Sequence, residues 1–120
     1  LFTLIVAGAP ELLPAIQADP AFAQLIQIIV RLDPLSDAQT TAYVQHHMRA
    51  VGGDIWSFDR SALEAIWRHS GGLPRRINLL CDTALMLGFA AQATQVTETL
   101  VEQAARDTSL PVPPPPEYNL

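Results

Sequence analysis

The residues that point most clearly to chemistry lie at positions 70–82, which read Ser-Gly-Gly-Leu-Pro-Arg-Arg-Ile-Asn-Leu-Leu-Cys-Asp. The two glycines are expected to end one helix, and Pro74 to begin the next. Arg75 and Arg76 then fall in the first turn of that helix, where the macrodipole is positive and a cation is unfavourable. An anion there would meet two guanidinium groups and free backbone N–H groups. The pattern therefore predicts a nucleotide-phosphate site made by Pro74, Arg75 and Arg76.

Written as Ser-Gly-Gly-x-Pro-Arg-x-Ile-Asn-x-Leu-Cys-Asp, this segment resembles the second sensor motif of AAA+ ATPases. It is similar in particular to the general-secretion-pathway A (ExeA-like) family, with relatives in pilus and exopolysaccharide systems. Further similar pieces follow in the family's order over roughly residues 2–107: Gly8-Ala9-Pro10-Glu11-Leu12, Pro34-Leu35-Ser36, Tyr43-Val44-Gln45-His46 and Ala62-Leu63-Glu64-Ala65-Ile66. The resemblance implies that Arg75 contacts the γ-phosphate of ATP in a full-length parent, while Arg76 stands at a variable position.

The chain lacks the nucleotide-binding half that such an ATPase needs. It has no Gly-x-x-x-x-Gly-Lys-Ser/Thr loop and no lysine at all, so nothing here cradles the β-phosphate. We therefore expect a C-terminal fragment whose ATPase core precedes Leu1. The resemblance implies ATP and Mg²⁺ for the parent, whereas the isolated chain is expected to hold neither cofactor, to have no catalytic residues or metal site, and to be inactive alone.

Two departures from the family leave the parent's own hydrolytic competence open. Ala9 stands where the family has glutamine, and Gln27 stands where an arginine finger is usual. Gln27 cannot supply positive charge to the transition state of a neighbouring subunit. These departures favour a second hypothesis, a non-catalytic helical protein-interaction module.

The pattern of apolar residues predicts a mainly α chain: a remnant of a parallel α/β sheet followed by a four-helix AAA+ lid bundle. Residues 1–33 are expected to be the last strands and helices of a truncated α/β core, with strands over 2–7 and 28–32. Short helices should begin near Pro10 and at Asp19-Pro20, the second running to about Gln27. Residues 34–108 should form the helical lid, and 109–120, with five prolines, a tail or linker.

Capping residues mark three of the four predicted lid helices. Ser36 with Gln39 forms a capping box, while Asp59 and Thr97 are N-caps. Apolar residues at i, i+3 and i+4 spacing should then face a common core. They are Val44, Met48 and Val51; Leu63, Ile66 and Trp67; Ile77, Leu80, Cys81, Ala84 and Leu85; and Leu100, Val101, Ala104 and Ala105.

Composition and charge exclude some classes of partner. A net charge of −5 and a pI near 4.9 disfavour nucleic-acid and anionic-membrane binding, and they weigh against a helix-turn-helix reading. No apolar run is long enough to predict direct membrane insertion. The single Cys81 is typical of a reducing compartment, and we expect a cytoplasmic protein whose parent works at the inner face of the bacterial inner membrane. The resemblance implies a homo-oligomeric parent, whose partners are secretion or envelope-assembly proteins.

The remaining polar and aromatic residues favour structural roles. His46, His47 and His69 lack metal-ligand spacing, and a packed or hydrogen-bonded role is expected for His46. Asn78 and Asp82 are expected to serve packing or capping, and Cys81 to be a buried thiol. Core packing is expected for Trp56, Phe58 and Trp67, with a groove for a partner helix as the alternative.

Overall fold

The computed structural model describes residues 1–108, which fall into two compact units divided between Leu32 and Asp33. The predicted proline-rich tail, 109–120, lies outside the described residues. Within residues 1–108 the regular structure is helical, and no strand is present. The prediction of a mainly α chain is therefore confirmed.

The first unit contains two short helices, α1 (Leu12–Gln17) and α2 (Pro20–Ala23), and neither buries a residue. Asp19 is the predicted N-cap of α2, and its Oδ1 accepts hydrogen bonds from the Ala21 and Phe22 N–H groups at 3.1 and 3.2 Å. The predicted extension of α2 to about Gln27 is wrong. Helix α2 ends at Ala23 and buries no residue, so no packing stabilises a longer helix, and short helices without packing are marginal in water.

The predicted strands over 2–7 and 28–32 do not form. Both segments lack regular structure, and almost all of their large apolar side chains are exposed. A strand is held by backbone hydrogen bonds to neighbouring strands, and residues 1–108 supply no such neighbour. The continuous apolar character of these segments therefore indicated a preference for buried strands, but residues 1–108 contain no strand with which they could pair.

The second unit contains four longer helices: α3 (Asp37–Ala50), α4 (Arg60–Ser70), α5 (Pro74–Ala90) and α6 (Glu98–Asp107). A 3₁₀ turn, Ile55–Ser57, precedes α4. Helix α6 packs against both α4 and α5, and α3 packs against α4 and, less extensively, α5. The buried core consists of Val44, Phe58, Ala62, Leu63, Ala65, Ile66, Ile77, Leu80, Ala84, Val96, Val101 and Ala104. Most predicted core positions lie there, although Val51 is 81% exposed because it follows the last residue of α3.

The predicted caps of α3 and α4 are confirmed. Ser36 Oγ accepts the Gln39 N–H at 3.2 Å, and Gln39 Oε1 accepts the Ser36 N–H at 3.0 Å, which completes the capping box. Asp59 Oδ1 accepts the Ala62 N–H at 2.7 Å. Thr97 occupies the N-cap position of α6, but its side chain makes no capping hydrogen bond.

A parallel β-bridge between Phe58 and Val96 fixes the segment before α6 instead. The Asp59 N–H donates to the Val96 carbonyl at 3.0 Å, and the Val96 N–H donates to the Ser57 carbonyl at 2.7 Å. Because these bonds join the residues just before the first turns of α4 and α6, they help to place the two helices side by side.

Candidate functional site

The turn between α4 and α5 is shaped by two glycines and a buried serine. Gly71 and Gly72 both have left-handed backbone, with φ of 63° and 74°. Ser70 is fully buried, and its Oγ accepts the Gly72 N–H at 3.1 Å while donating to the Trp67 carbonyl at 3.3 Å. The predicted end of α4 is confirmed, since a residue without a Cβ adopts this conformation without steric cost.

The same turn holds the segment that leads into α3. The Leu35 N–H donates to the Gly72 carbonyl at 2.8 Å, and the Leu35 carbonyl accepts the indole N–H of Trp67 at 3.2 Å. A Cβ atom on Gly72 would overlap the Leu35 carbonyl oxygen. Gly72 is therefore required by close backbone approach as well as by its φ.

Helix α5 begins with Pro74 at its first position, as predicted, and its N-cap is Leu73, which supplies no side-chain cap. The N–H groups of Arg76 and Ile77 both donate to the Leu73 carbonyl at 2.9 Å. Since Pro74 has no N–H, Arg75 supplies the one N–H of this first turn that has no acceptor within residues 1–108. The expectation of several free N–H groups is corrected to this single donor.

The two predicted arginines differ in their surroundings. Arg75 is exposed and makes no ion pair within the described part of the chain, whereas Arg76 is half-buried. The first turn of α5 also contains no acidic residue. Arg75 thus combines an exposed guanidinium, a backbone donor and the positive end of a helix of 17 residues, which together favour a bound anion.

A hydrogen bond joins α3 to α5 one turn beyond the arginines. Tyr43 Oη donates to Asn78 Oδ1 at 2.9 Å. Tyr43 and Asn78 come from two separate pieces of the family resemblance, and the fold brings them into contact. The bond gives the exposed Asn78 a structural contact. That Asn78 serves packing or capping rather than chemistry stays a prediction.

A cleft of about 300 Å³ lies between α3 and α5. Its lining consists of Tyr43, Val44, His47, Met48, Val51, Phe58, Ile77, Asn78, Cys81, Asp82 and Leu85. Cys81 is half-buried there, and burial, with a smaller contribution from the Asp82 carboxylate, raises the pKa of its thiol to about 12. The thiol is therefore protonated at neutral pH and is a poor nucleophile.

The histidines and aromatic residues follow the predictions only in part. Phe58 is buried, but Trp56 is 69% exposed and Trp67 is 41% exposed, so the core assignment is wrong for Trp56 and incomplete for Trp67. His46 is exposed rather than packed, and its ring meets that of His47 edge-on at 5.7 Å. Within residues 1–108, no group of three or more His, Cys, Asp or Glu side chains is placed to hold a metal ion.

A charged cluster that the sequence did not reveal joins the end of α4 to the start of α6. Arg68 Nη2 donates to Glu98 at 3.0 Å and to Glu102 at 2.8 Å, and His69 Nε2 lies 3.0 Å from Glu102 Oε1. Glu98 and Glu102 are one turn apart, so they share a face, but no sequence signal pairs that face with residues 30 positions earlier. The hydrogen bonds from His69 and Arg68 lower the pKa of Glu102.

Replacing Glu102 with glutamine is expected to lower the free energy of unfolding at pH 7 by roughly 0.5–1 kcal/mol, because the pairs are partly exposed and screened. A carboxyl whose pKa is lowered by folding stabilises the protein above its ordinary pKa, and this contribution is lost as the pH falls through the lowered value. The difference from the parent chain should therefore shrink between pH 5 and pH 3. Urea titrations at both pH values test this, with the exposed Glu64→Gln as the control; a difference independent of pH would contradict it.

None of the helices within residues 1–108 combines the length and apolar character needed to cross a membrane.

Comparison with known proteins gives one informative match. Over 112 residues the chain is 35% identical to the General secretion pathway protein A of Aeromonas hydrophila. The match covers 91% of this chain and 20% of the relative, so the chain spans about one fifth of that protein's length. No protein-family model and no solved structure matches the chain. The resemblance to the general-secretion-pathway A family is confirmed by this match.

Proposed function

We propose that this chain, as a relative of General secretion pathway protein A, is the C-terminal part of a secretion- or assembly-associated AAA+ ATPase. In this proposal, α3–α6 form the helical lid that closes over a nucleotide held by the ATPase core. The similarity over 91% of the chain supports the relationship, and four packed helices after Asp33 are consistent with a lid. ATP, Mg²⁺, a homo-oligomeric parent and secretion or envelope-assembly partners belong to the same proposal.

Arg75 carries the proposed chemistry. Its exposed guanidinium and its backbone N–H, which has no acceptor within residues 1–108, stand at the start of α5. Among the same residues, the first turn of α5 has neither a capping side chain nor an acidic residue that would offset the positive charge. In the parent, a γ-phosphate at this position would gain a charge-assisted hydrogen bond from Arg75 and the favourable field of the helix. Pro74 fixes the first turn, and the half-buried Arg76 is the second arginine of that turn.

The first unit fits the same proposal as a remnant of the ATPase sheet. The large apolar side chains in or directly beside its two predicted strands are all at least half exposed: Leu1, Phe2, Leu4, Ile5, Val6, Ile28, Ile29, Val30 and Leu32. Such apolar segments are typical of strands buried on both faces of a parallel sheet. Strands from an ATPase core would supply the hydrogen-bond partners that residues 1–32 lack by themselves.

The proposed anion contact predicts weak binding of inorganic phosphate to the isolated chain. We expect a dissociation constant of about 1 mM at low salt, because one arginine and one N–H give few contacts and exposed charges are screened. Arg75→Ala should weaken binding about tenfold or more. Without phosphate the same change should stabilise the chain by a few tenths of a kcal/mol, since a cation leaves the positive helix end.

Backbone amide shifts of residues 73–78, followed by NMR during a phosphate titration, measure this binding. Arg49→Ala is the matched control, since it removes an exposed arginine from the last turn of α3. Saturable shifts that disappear in Arg75→Ala but persist in Arg49→Ala would support the proposal. Equal shifts in both variants, or none in the parent chain, would contradict it.

A second candidate, a non-catalytic helical interaction module, is favoured by one surface. On α5, Leu79, Met86 and Phe89 are 42%, 72% and 88% exposed, and the cleft between α3 and α5 lies beside them on the same helix. Contiguous exposed apolar surface is one of the features that mark protein-binding sites. Phosphate titration separates the two candidates, because the interaction module requires no anion at Arg75.

A further inference from the structure

The turn that precedes Arg75 also forms hydrogen bonds to the segment that links the two units. We propose that Trp67 and Gly72 are positioning residues: they hold the linking segment, 33–35, to the turn before Arg75, so that the two segments move together. Binding of an anion at Arg75 would then change the backbone environment of Leu35. This inference rests on the proposed anion contact of Arg75, and it adds a route by which the contact reaches the rest of the chain.

Both polar backbone groups of Leu35 are held by that turn. Its N–H donates to the Gly72 carbonyl at 2.8 Å, and its carbonyl accepts the Trp67 indole N–H at 3.2 Å. One hydrogen bond leaves a segment free to pivot about it, whereas two bonds on opposite sides of the same residue fix its direction. The side chain of Leu35 also packs against the buried core, which adds a third point of attachment.

The backbone between Gly72, which holds Leu35, and Arg75 is short and has little conformational freedom. Gly72 is three residues before Arg75, and its N–H is held by the buried Ser70 hydroxyl at 3.1 Å. Pro74 fixes its own φ, so little backbone freedom remains in between. On the other side, Pro34 restricts the backbone of the residue before it, which extends the stiff segment to Asp33, where the second unit begins.

Trp67 is better explained by this hydrogen bond than by packing. Its side chain is 41% exposed near the end of α4, so packing accounts for only part of its surface. Its indole N–H finds an acceptor 32 residues earlier in the chain. Trp56 is the natural comparison, because it is 69% exposed and only its backbone groups form hydrogen bonds.

NMR on the full chain tests the inference during a titration with inorganic phosphate. We expect the Leu35 amide and the Trp67 indole resonance to shift together with the Arg75 amide, with one dissociation constant. Trp67→Phe removes the indole donor but keeps an aromatic ring, and it should weaken phosphate binding about two- to tenfold, the range that one ordinary hydrogen bond allows. Trp56→Phe is the matched control and should bind like the parent chain.

The outcomes distinguish this inference from the proposed function. If residues 73–78 respond to phosphate while the Leu35 amide and the Trp67 indole do not, the inference is overturned and the anion contact stands. If Trp67→Phe and Trp56→Phe bind phosphate equally, with unchanged circular dichroism, the positioning role is also overturned. If no residue from 73 to 78 responds in the parent chain, both the anion contact and the inference fail.

Discussion

Replacing Gly72 with alanine is expected to lower the free energy of unfolding by about 3 kcal/mol or more. Its φ of 74° costs a residue with a Cβ about 1–2 kcal/mol. The new Cβ would also overlap the carbonyl oxygen of Leu35. The oxygen belongs to the backbone and the position of the Cβ is fixed by the backbone, so no side-chain rotation relieves the overlap. Relief requires moving the chain at Leu35, which would break its hydrogen bond to the Gly72 carbonyl.

Gly52→Ala separates these two causes. Gly52 has nearly the same φ, 73°, but a Cβ there would meet no atom within 4 Å. This control should therefore cost only the conformational term, about 1–2 kcal/mol. Urea unfolding followed by circular dichroism measures both variants on the full chain. Equal losses in the two variants would mean that the approach of Leu35 to the turn contributes nothing to stability.

Leu80→Ala is expected to lower the free energy of unfolding by about 2–5 kcal/mol, the range for removing a buried leucine side chain. Leu80 is completely buried on α5, among residues of the core that α5 shares with α4 and α6. The cost combines lost transfer of apolar surface with a cavity that packed helices fill only in part.

The neighbouring Leu79 provides a control of identical chemistry and helix propensity. It is 42% exposed and is not a member of the buried core, so Leu79→Ala should cost less than about 1 kcal/mol. Thermal or urea unfolding of the pair measures the difference directly. A larger loss for Leu79→Ala than for Leu80→Ala would show that the face of α5 assigned to the core is wrong.

The sequence determined the helices of the second unit almost completely. The helix caps and the helix end act through hydrogen bonds or backbone angles within a few residues, so they could be predicted without knowledge of the fold. They are the Ser36–Gln39 capping box, the Asp59 N-cap and the Gly71-Gly72 end of α4. The apolar spacing of α5 likewise identified Ile77, Leu80 and Ala84 as core, since a helix has a fixed period.

The same local reasoning failed where a distant partner decides the outcome. Residues 2–7 and 28–32 have the composition of buried strands, yet a strand exists only when another strand accepts its hydrogen bonds, and residues 1–108 offer none. Trp56 and Trp67 were expected to pack in the core but are 69% and 41% exposed, because burial depends on which helix faces each side chain.

The sequence predicted Pro74 and Arg75 at the start of a helix and, through the family resemblance, the relationship to General secretion pathway protein A. Tertiary structure alone decided that Arg75 is exposed while Arg76 is half-buried, and that a single N–H of that turn lacks an acceptor among residues 1–108. It also decided that Leu35 is held by Trp67 and Gly72. Local hydrogen bonds and helix periodicity are encoded within a few residues, whereas contacts across more than 30 residues depend on how the whole unit packs.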